Sequence, residues 1–394
     1  MILAEIITRL KGQMVINLLI TFFGLITTVL TVRLYGLSVF GELVVINAVI
    51  GILTIINLII PPNYSVYKLQ DDPKFINVLL FVNFLLAVFV IVISSIYFYH
   101  TLNGLSFIYS VIYSLFLSLQ SFVDVYCQSK NKLTQYYFLI LSMAIVKFLG
   151  IGLLSLNIPD LTGLLAAYAL AQFAMIIVSA IYIKKCEPQL RCKLDYLIVI
   201  SFFRENMNSL KGYYLSAILK RVNDNSLPLI FSAYLTKSEI GLFTLLQKSL
   251  AMGVTFLRVF EAALFHRQTA KVIDEDLRKF IPLLLLTHLT VLVCGAAYIY
   301  FSIEILMYEL VLISFLLYPL ALTVTFRAKL FGQYNTLVIN TAALLSLTAF
   351  IISVWVMKFM GLPGLMIAIL SYSLLVIINA VVIYFGWKII NNEK

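Results

Sequence analysis

From Gln13 to Val32 the chain carries no charged residue, and uncharged runs of similar length recur along most of its 394 residues. A helix needs about 20 apolar residues to cross a hydrocarbon layer roughly 30 Å thick. Inside such a layer the backbone finds no water, so it must satisfy its own hydrogen bonds as helices or as a closed barrel. A barrel is built from short strands that alternate apolar and polar residues; the runs here are continuous. Composition agrees, with 62% of residues apolar and 12% charged against roughly 45–50% and 25% in a soluble domain. The expected class is an all-α polytopic membrane protein.

Charges and turn residues cut the chain into twelve candidate transmembrane helices, near residues 13–33, 41–62, 76–99, 106–128, 133–156, 161–183, 208–233, 239–262, 280–302, 308–330, 335–357 and 362–387. Arg9 and Lys11 precede the first run, which exceeds the 7–15 apolar residues of a cleaved signal and reads as a permanent span. Basic residues test this division, because cytoplasmic loops are enriched in lysine and arginine. With a cytoplasmic N-terminus, twenty of the 28 basic residues fall on the cytoplasmic side, only Arg33, Lys237 and Lys358 fall outside, and Lys147, Lys220, Arg221, Lys248 and Arg258 lie within spans. An even number of spans with both termini cytoplasmic follows. The net charge of +10 is therefore mainly an orientation signal. Its scatter over short loops excludes a nucleic-acid interface.

Chemistry-bearing residues are sparse. Cys127, Cys186, Cys192 and Cys294 match no zinc or CxxC spacing and read as inert free thiols in a reducing compartment. His100, His266 and His288 fall outside, inside and mid-span, so they cannot form one cluster. No HExxH, GxSxG or P-loop occurs, and no loop is large enough for the catalytic apparatus of a membrane glycosyltransferase or polymerase. No enzyme activity, metal or cofactor is expected.

Two landmarks repeat. Tyr35 to Gly41, between spans one and two, corresponds to Tyr234 to Gly241, between spans seven and eight; Gly163, before span six, corresponds to Gly364, before span twelve. Six spans per half make the repeats parallel, an arrangement that in transporters holds substrate near mid-membrane between the halves. The expectation is two parallel six-helix bundles around a central cavity: residues 1–184, a cytoplasmic linker over 185–207, and residues 208–394.

Polar residues in lipid are costly, so a polar face marks a cavity or a helix seam. On span four Ser110, Ser114, Ser118, Ser121 and Gln128 recur at helical spacing with Asp124 among them; the carboxylate favours a lined cavity. Span seven carries Lys220, Arg221 and Asp224; span eight carries Lys248, Arg258 and Glu261. Each intramembrane charge costs at least roughly 2.5–3.5 kcal/mol against lipid, so these groups are expected to face a wet lumen. Pairs such as Arg221 with Asp224 or Arg258 with Glu261 cannot neutralise all four cations. Lys220, Arg221, Lys248 and Arg258 are therefore candidate ligands for an anion, phosphate or pyrophosphate above all. Asp124, Asp224 and Glu261 are candidates for ion coupling or for salt bridges. Lys147 either snorkels to the cytoplasmic side or pairs with Asp124.

The residues Arg33, Leu34, Tyr35 and Gly36 with Phe40 and Gly41, their second-half partners Glu239, Ile240 and Gly241, the glycine turns at Gly163 and Gly364, and the six-plus-six layout resemble the Wzx-type O-antigen flippases, in the polysaccharide-transporter branch of the MOP exporter superfamily. The resemblance implies a V-shaped alternating-access carrier in the bacterial inner membrane. Its substrate would be an undecaprenyl-pyrophosphate-linked oligosaccharide, moved from the cytoplasmic to the periplasmic leaflet, with ion antiport as an energy source. An O-antigen polymerase and a chain-length regulator are the partners implied. The first half departs from the pattern in a lumen face nearly uncharged apart from Asp124. A MATE-like multidrug or cation antiporter shares the fold but prefers an acidic cavity; an O-antigen polymerase would carry large external loops; a lipid II flippase usually adds two helices.

Overall fold

The computed structural model describes residues 2–72, 75–130, 132–187, 196–265, 307–332 and 336–392, with seven further positions between 285 and 296. Among the described residues the chain is helical throughout, without a strand. Its helices are α1 (Ile2–Tyr35), α2 (Leu37–Leu53), α3 (Pro62–Asp71), α4 (Phe75–Thr101), α5 (Gly104–Ser129), α6 (Leu133–Ser155), α7 (Leu161–Cys186), α8 (Tyr196–Ser232), α9 (Lys237–Phe265), α10 (Met307–Ser314), α11 (Leu317–Gly332), α12 (Thr336–Phe359) and α13 (Gly364–Asn392). Seven described helices are long and apolar enough to cross a membrane.

Two expected spans take a different form, and a third lies mostly outside the described residues. Span two ends early: α2 tightens into a 3-10 segment over Thr54–Ile59 and stops before Pro61 and Pro62, where the rings remove backbone donors and bias the preceding residue away from the helix. The polar stretch after it is a helix, α3, with Ser65 and Leu69 buried. The span over 308–330 is two helices, α10 and α11, separated by a turn at Phe315 and Leu316. The span over 280–302 lies mostly outside the described residues; His288 within it is buried, 3.3 Å from the Ser314 hydroxyl and against the rings of Phe315 and Tyr318.

Two compact units emerge. One comprises Val15–Leu229, and the other Met1–Met14 with Ile230–Lys394. The division falls inside α8, one residue after its internal Pro228. Proline lacks the N–H that would bond the carbonyl four residues back, here that of Asp224. At 37 residues, α8 is roughly 55 Å long, well beyond the ~30 Å hydrocarbon layer, and it begins at Tyr196, within the stretch expected as a linker.

In the first unit α5 packs on α4 and α7, and α7 on α6. One apolar cluster joins Tyr126, Phe75, Leu79 and Met175 to Phe202 and Leu210 of α8; another joins Leu43, Ile50, Phe98, Ile151, Leu164 and Leu165. Phe84, Phe89, Val92 and Ile96 on α4 and Leu149 and Leu153 on α6 remain exposed, as lipid-facing residues do. In the second unit α13 packs on α9, α11 and α12. Its centre is aromatic, with Phe231 lying 5.0 Å from Phe243 and 5.5 Å from Phe350, ring centre to ring centre, and Tyr372 closing on Phe243.

The two repeat landmarks meet within each unit. In the first, the Tyr35 hydroxyl donates to the Ile151 carbonyl at 3.2 Å and lies within the field of Asp160, whose carboxylate caps α7 by accepting from the Thr162 and Gly163 amides. In the second, Thr236 and Glu239 form a reciprocal capping box. The Glu239 carboxylate accepts from the Thr236 amide at 2.9 Å, and the Thr236 hydroxyl accepts from the Glu239 amide at 3.2 Å. A Cβ on Gly364 would lie 2.5 Å from that carboxylate and 2.6 Å from Leu235, so a larger residue there would push the Glu239 and Leu235 side chains aside. Lys358 caps the corner, its ammonium 4.2 Å from the centre of the Tyr234 ring. Thr236→Ala removes half of the box and is expected to cost about 1 kcal/mol, measured as a lowered thermal midpoint of the purified protein; an unchanged midpoint would show that the cap contributes nothing.

Candidate functional site

The serine stripe of α5 is a seam, not a cavity wall. Ser110, Ser114 and Ser118 are completely buried. Ser114 donates to Ser94 of α4 at 2.9 Å, Ser118 accepts from the Asn57 amide at 2.7 Å, and Ser121 donates to Asn83 of α4 at 2.7 Å. Small hydroxylated residues let helices approach closely and bond across the interface, which is why the expected lined cavity is closed along most of this face. One turn further the seam gives way to charge. Gln120 of α5 bonds Gln172 of α7. Asp124 is half-buried, its Oδ1 enclosed without a protein donor, and its hydrogen-bonding neighbours are Tyr136 of α6 and Gln120.

Arg221 of α8 supplies the cation. Its guanidinium is half-buried and within electrostatic reach of both Asp224, one turn along α8, and Asp124 on α5. The neighbouring Asn225 bonds the Arg221 carbonyl at 2.8 Å and sits so close to α2 that a Cβ on Gly51 would overlap its amide. The absence of a side chain at Gly51 therefore sets how near α2 comes to the charged stretch of α8. Thus Asp124 and Asp224, read separately in the sequence, both act electrostatically on Arg221 within the first unit, Asp124 half-buried and Asp224 exposed.

The remaining candidates stand apart. Lys220, about 100° round the helix from Arg221, is exposed. Lys248 is half-buried in the second unit. Arg258 and Glu261 lie on the helical backbone of α9, but their side chains are outside the described residues. Lys147 follows neither expected course. Asp124 is not among the groups that act on it; its ammonium lies over the Tyr168 ring of α7 at 4.7 Å, and Tyr168 meets Tyr113 of α5 edge-on. Sequence reasoning did not single out Tyr113, Gln120, Tyr136, Tyr168 or Gln172. Their intramembrane polarity was the available signal, and only the packing of α5, α6 and α7 shows which of them meet. Among the described residues no group of histidine, cysteine and acidic side chains could hold a metal ion.

No protein-family model matches the sequence, and no curated protein matches it significantly. Solved structures do. An inward-facing multidrug-resistance MATE transporter of the MOP superfamily superposes with a TM-score of 0.63 at 13% identity, covering 96% of this chain and 97% of that one. An Asp-to-Asn mutant of the Vibrio cholerae MATE transporter VcmN gives 0.62 at 12% identity, covering 100% and 98%. The chain shares the fold of these two MATE transporters. A third relative in fold, a MOP-superfamily transporter from Pyrococcus furiosus, is described by a binding pocket of reverse polarity that suggests a different function; its TM-score is 0.53 at 12% identity, covering 96% and 92%.

Proposed function

We propose that the protein is a membrane carrier that moves an anionic, lipid-linked oligosaccharide, of the undecaprenyl-pyrophosphate class, between leaflets by alternating access. The carrying observation is the end-to-end match to the MOP transporter fold in a chain whose two most polar long helices, α8 and α9, hold Lys220, Arg221, Lys248 and Arg258 against Asp224 and Glu261. Pairing of Arg221 with Asp224 and Asp124 reduces the surplus without inverting it. A surplus of intramembrane cations attracts pyrophosphate and repels the organic cations that drug exporters take. The Pyrococcus protein offers a parallel within the fold for a pocket of changed polarity.

Lys220, Arg221, Lys248 and Arg258 are the proposed anion ligands, with Arg221 also in the field of Asp124 and Asp224. Asp124 and Asp224 are the proposed ion-coupling groups of the first unit. Export of a cationic drug is a second reading, favoured by the multidrug MATE transporters among the matching structures. One variant separates them. Lys248→Gln with Arg258→Gln is expected to abolish lipid-linked surface polysaccharide while the protein still inserts into the membrane. Normal polysaccharide with altered drug tolerance would transfer the assignment to the drug exporters.

A further inference from the structure

The end of α7, which the charge distribution places on the cytoplasmic side, carries a cluster outside the group around Arg221. The Lys132 ammonium donates to the Cys186 sulfur at 3.1 Å and stands 5.3 Å from the centre of the Tyr182 ring. The hydroxyls of Tyr182 and Tyr126 also neighbour the sulfur. Tyr126 is completely buried, and its hydroxyl, a neighbour of Cys186, makes no hydrogen bond of standard geometry. A 3.0 Å ion pair between Lys130 and Glu187 holds the α5–α6 turn against the same helix end. Cys186 is a free thiol, half-exposed, beside the exposed Lys184 and Lys185. The bond to Cys186 raises the Lys132 ammonium above the usual lysine range. Cys127, by contrast, is a fully buried thiol.

We propose that Cys186 is a peroxide-reactive thiol whose oxidised form is held by Lys132, Tyr182 and Tyr126. Reactive cysteines occupy partly exposed, electropositive surroundings, whereas buried ones are inert. Here a cation stabilises the attacking thiolate, and the buried Tyr126 hydroxyl beside the sulfur has a donor to spare for a new oxygen. The thiolate sulfur attacks one oxygen of hydrogen peroxide; the S–O bond forms as the O–O bond breaks. Hydroxide leaves and takes a proton from solvent as water. Cys186 loses two electrons and becomes a sulfenic acid, a reversible state that thiol reductants return to the thiol. The inert reading then holds for Cys127 and not for Cys186.

The test uses the full-length protein in lipid nanodiscs, treated with hydrogen peroxide and trapped with dimedone, with adducts located by peptide mass spectrometry. Cys186 should be trapped at least about tenfold faster than Cys127. Lys132→Met should slow trapping about tenfold, Lys132→Arg should retain most of it, and Tyr126→Phe should shorten the lifetime of the sulfenic acid. Trapping at Cys186 no faster than at Cys127, or a Lys132→Met rate equal to wild type in protein of undiminished thermal midpoint, would overturn the proposal. This outcome is independent of what the carrier transports.

Discussion

Arg221→Met is expected to lower the stability of the first unit by about 1–2 kcal/mol, because it leaves the half-buried Asp124 carboxylate without its nearby cation, while the exposed Asp224 keeps its water. Asp124 and Asp224 both lie in the field of this guanidinium, and the Asp124 Oδ1 has no protein donor to replace it. Removing one partner of an enclosed pair costs far more than removing both, since the survivor keeps its desolvation penalty. The double variant Arg221→Met with Asp124→Leu should therefore recover much of the loss, a coupling that a double-mutant cycle of unfolding midpoints in detergent reads directly. The same cycle divides the roles left open for Asp124. If Asp124→Asn alone leaves stability nearly unchanged but halts export, the carboxylate serves ion coupling. If Asp124→Asn destabilises as strongly as Arg221→Met while export by the surviving protein is normal, the carboxylate is a structural counter-charge. An Arg221→Met midpoint equal to wild type would remove the coupling of Arg221 to these carboxylates altogether.

These charges also show where the sequence stops being informative. Apolar run length and basic-residue placement located most of the helices, because lipid leaves the backbone few alternatives. Helix interruptions were less legible. Pro61 and Pro62 signalled the end of span two, but the 3-10 turn from Thr54 to Ile59 has no sharp signature, and the break at Phe315 and Leu316 interrupts an unremarkable apolar run. The α5 stripe was correctly placed on one face, with Ser110, Ser114 and Ser118 all buried. Periodicity names a face but not its partner, so Ser94, Asn57 and Asn83, which close that face, could not be inferred. Arg221 and Asp124 are separated by two intervening helices in the chain, α6 and α7, and only the docking of α8 in the first unit brings them near. The corner where Glu239 meets Gly364 was legible as two glycine turns in register between halves, and their contact was not.

Lys147→Met is expected to make the protein more stable, by about 1 kcal/mol, and less active. Lys147 lies between Ala144 and Ile151 on the buried face of α6. Along the helix it is eight residues from the Ser155 end and fourteen from the Leu133 end, about 12 and 21 Å, so its stem cannot carry the charge to either interface. A contact with a ring such as that to Tyr168 returns up to about 2 kcal/mol, less than the roughly 2.5–3.5 kcal/mol that an intramembrane cation costs. Methionine keeps the unbranched shape, removes the charge and gains a sulfur–aromatic contact. Selection for stability alone would therefore disfavour lysine here, and its presence argues for a use that needs the charge. A raised thermal midpoint with export reduced would establish that use, while a raised midpoint with export intact would mark Lys147 as a tolerated defect. A lowered midpoint would mean that the ring contact outweighs desolvation, and that Lys147 belongs to the packing of α6 on α7.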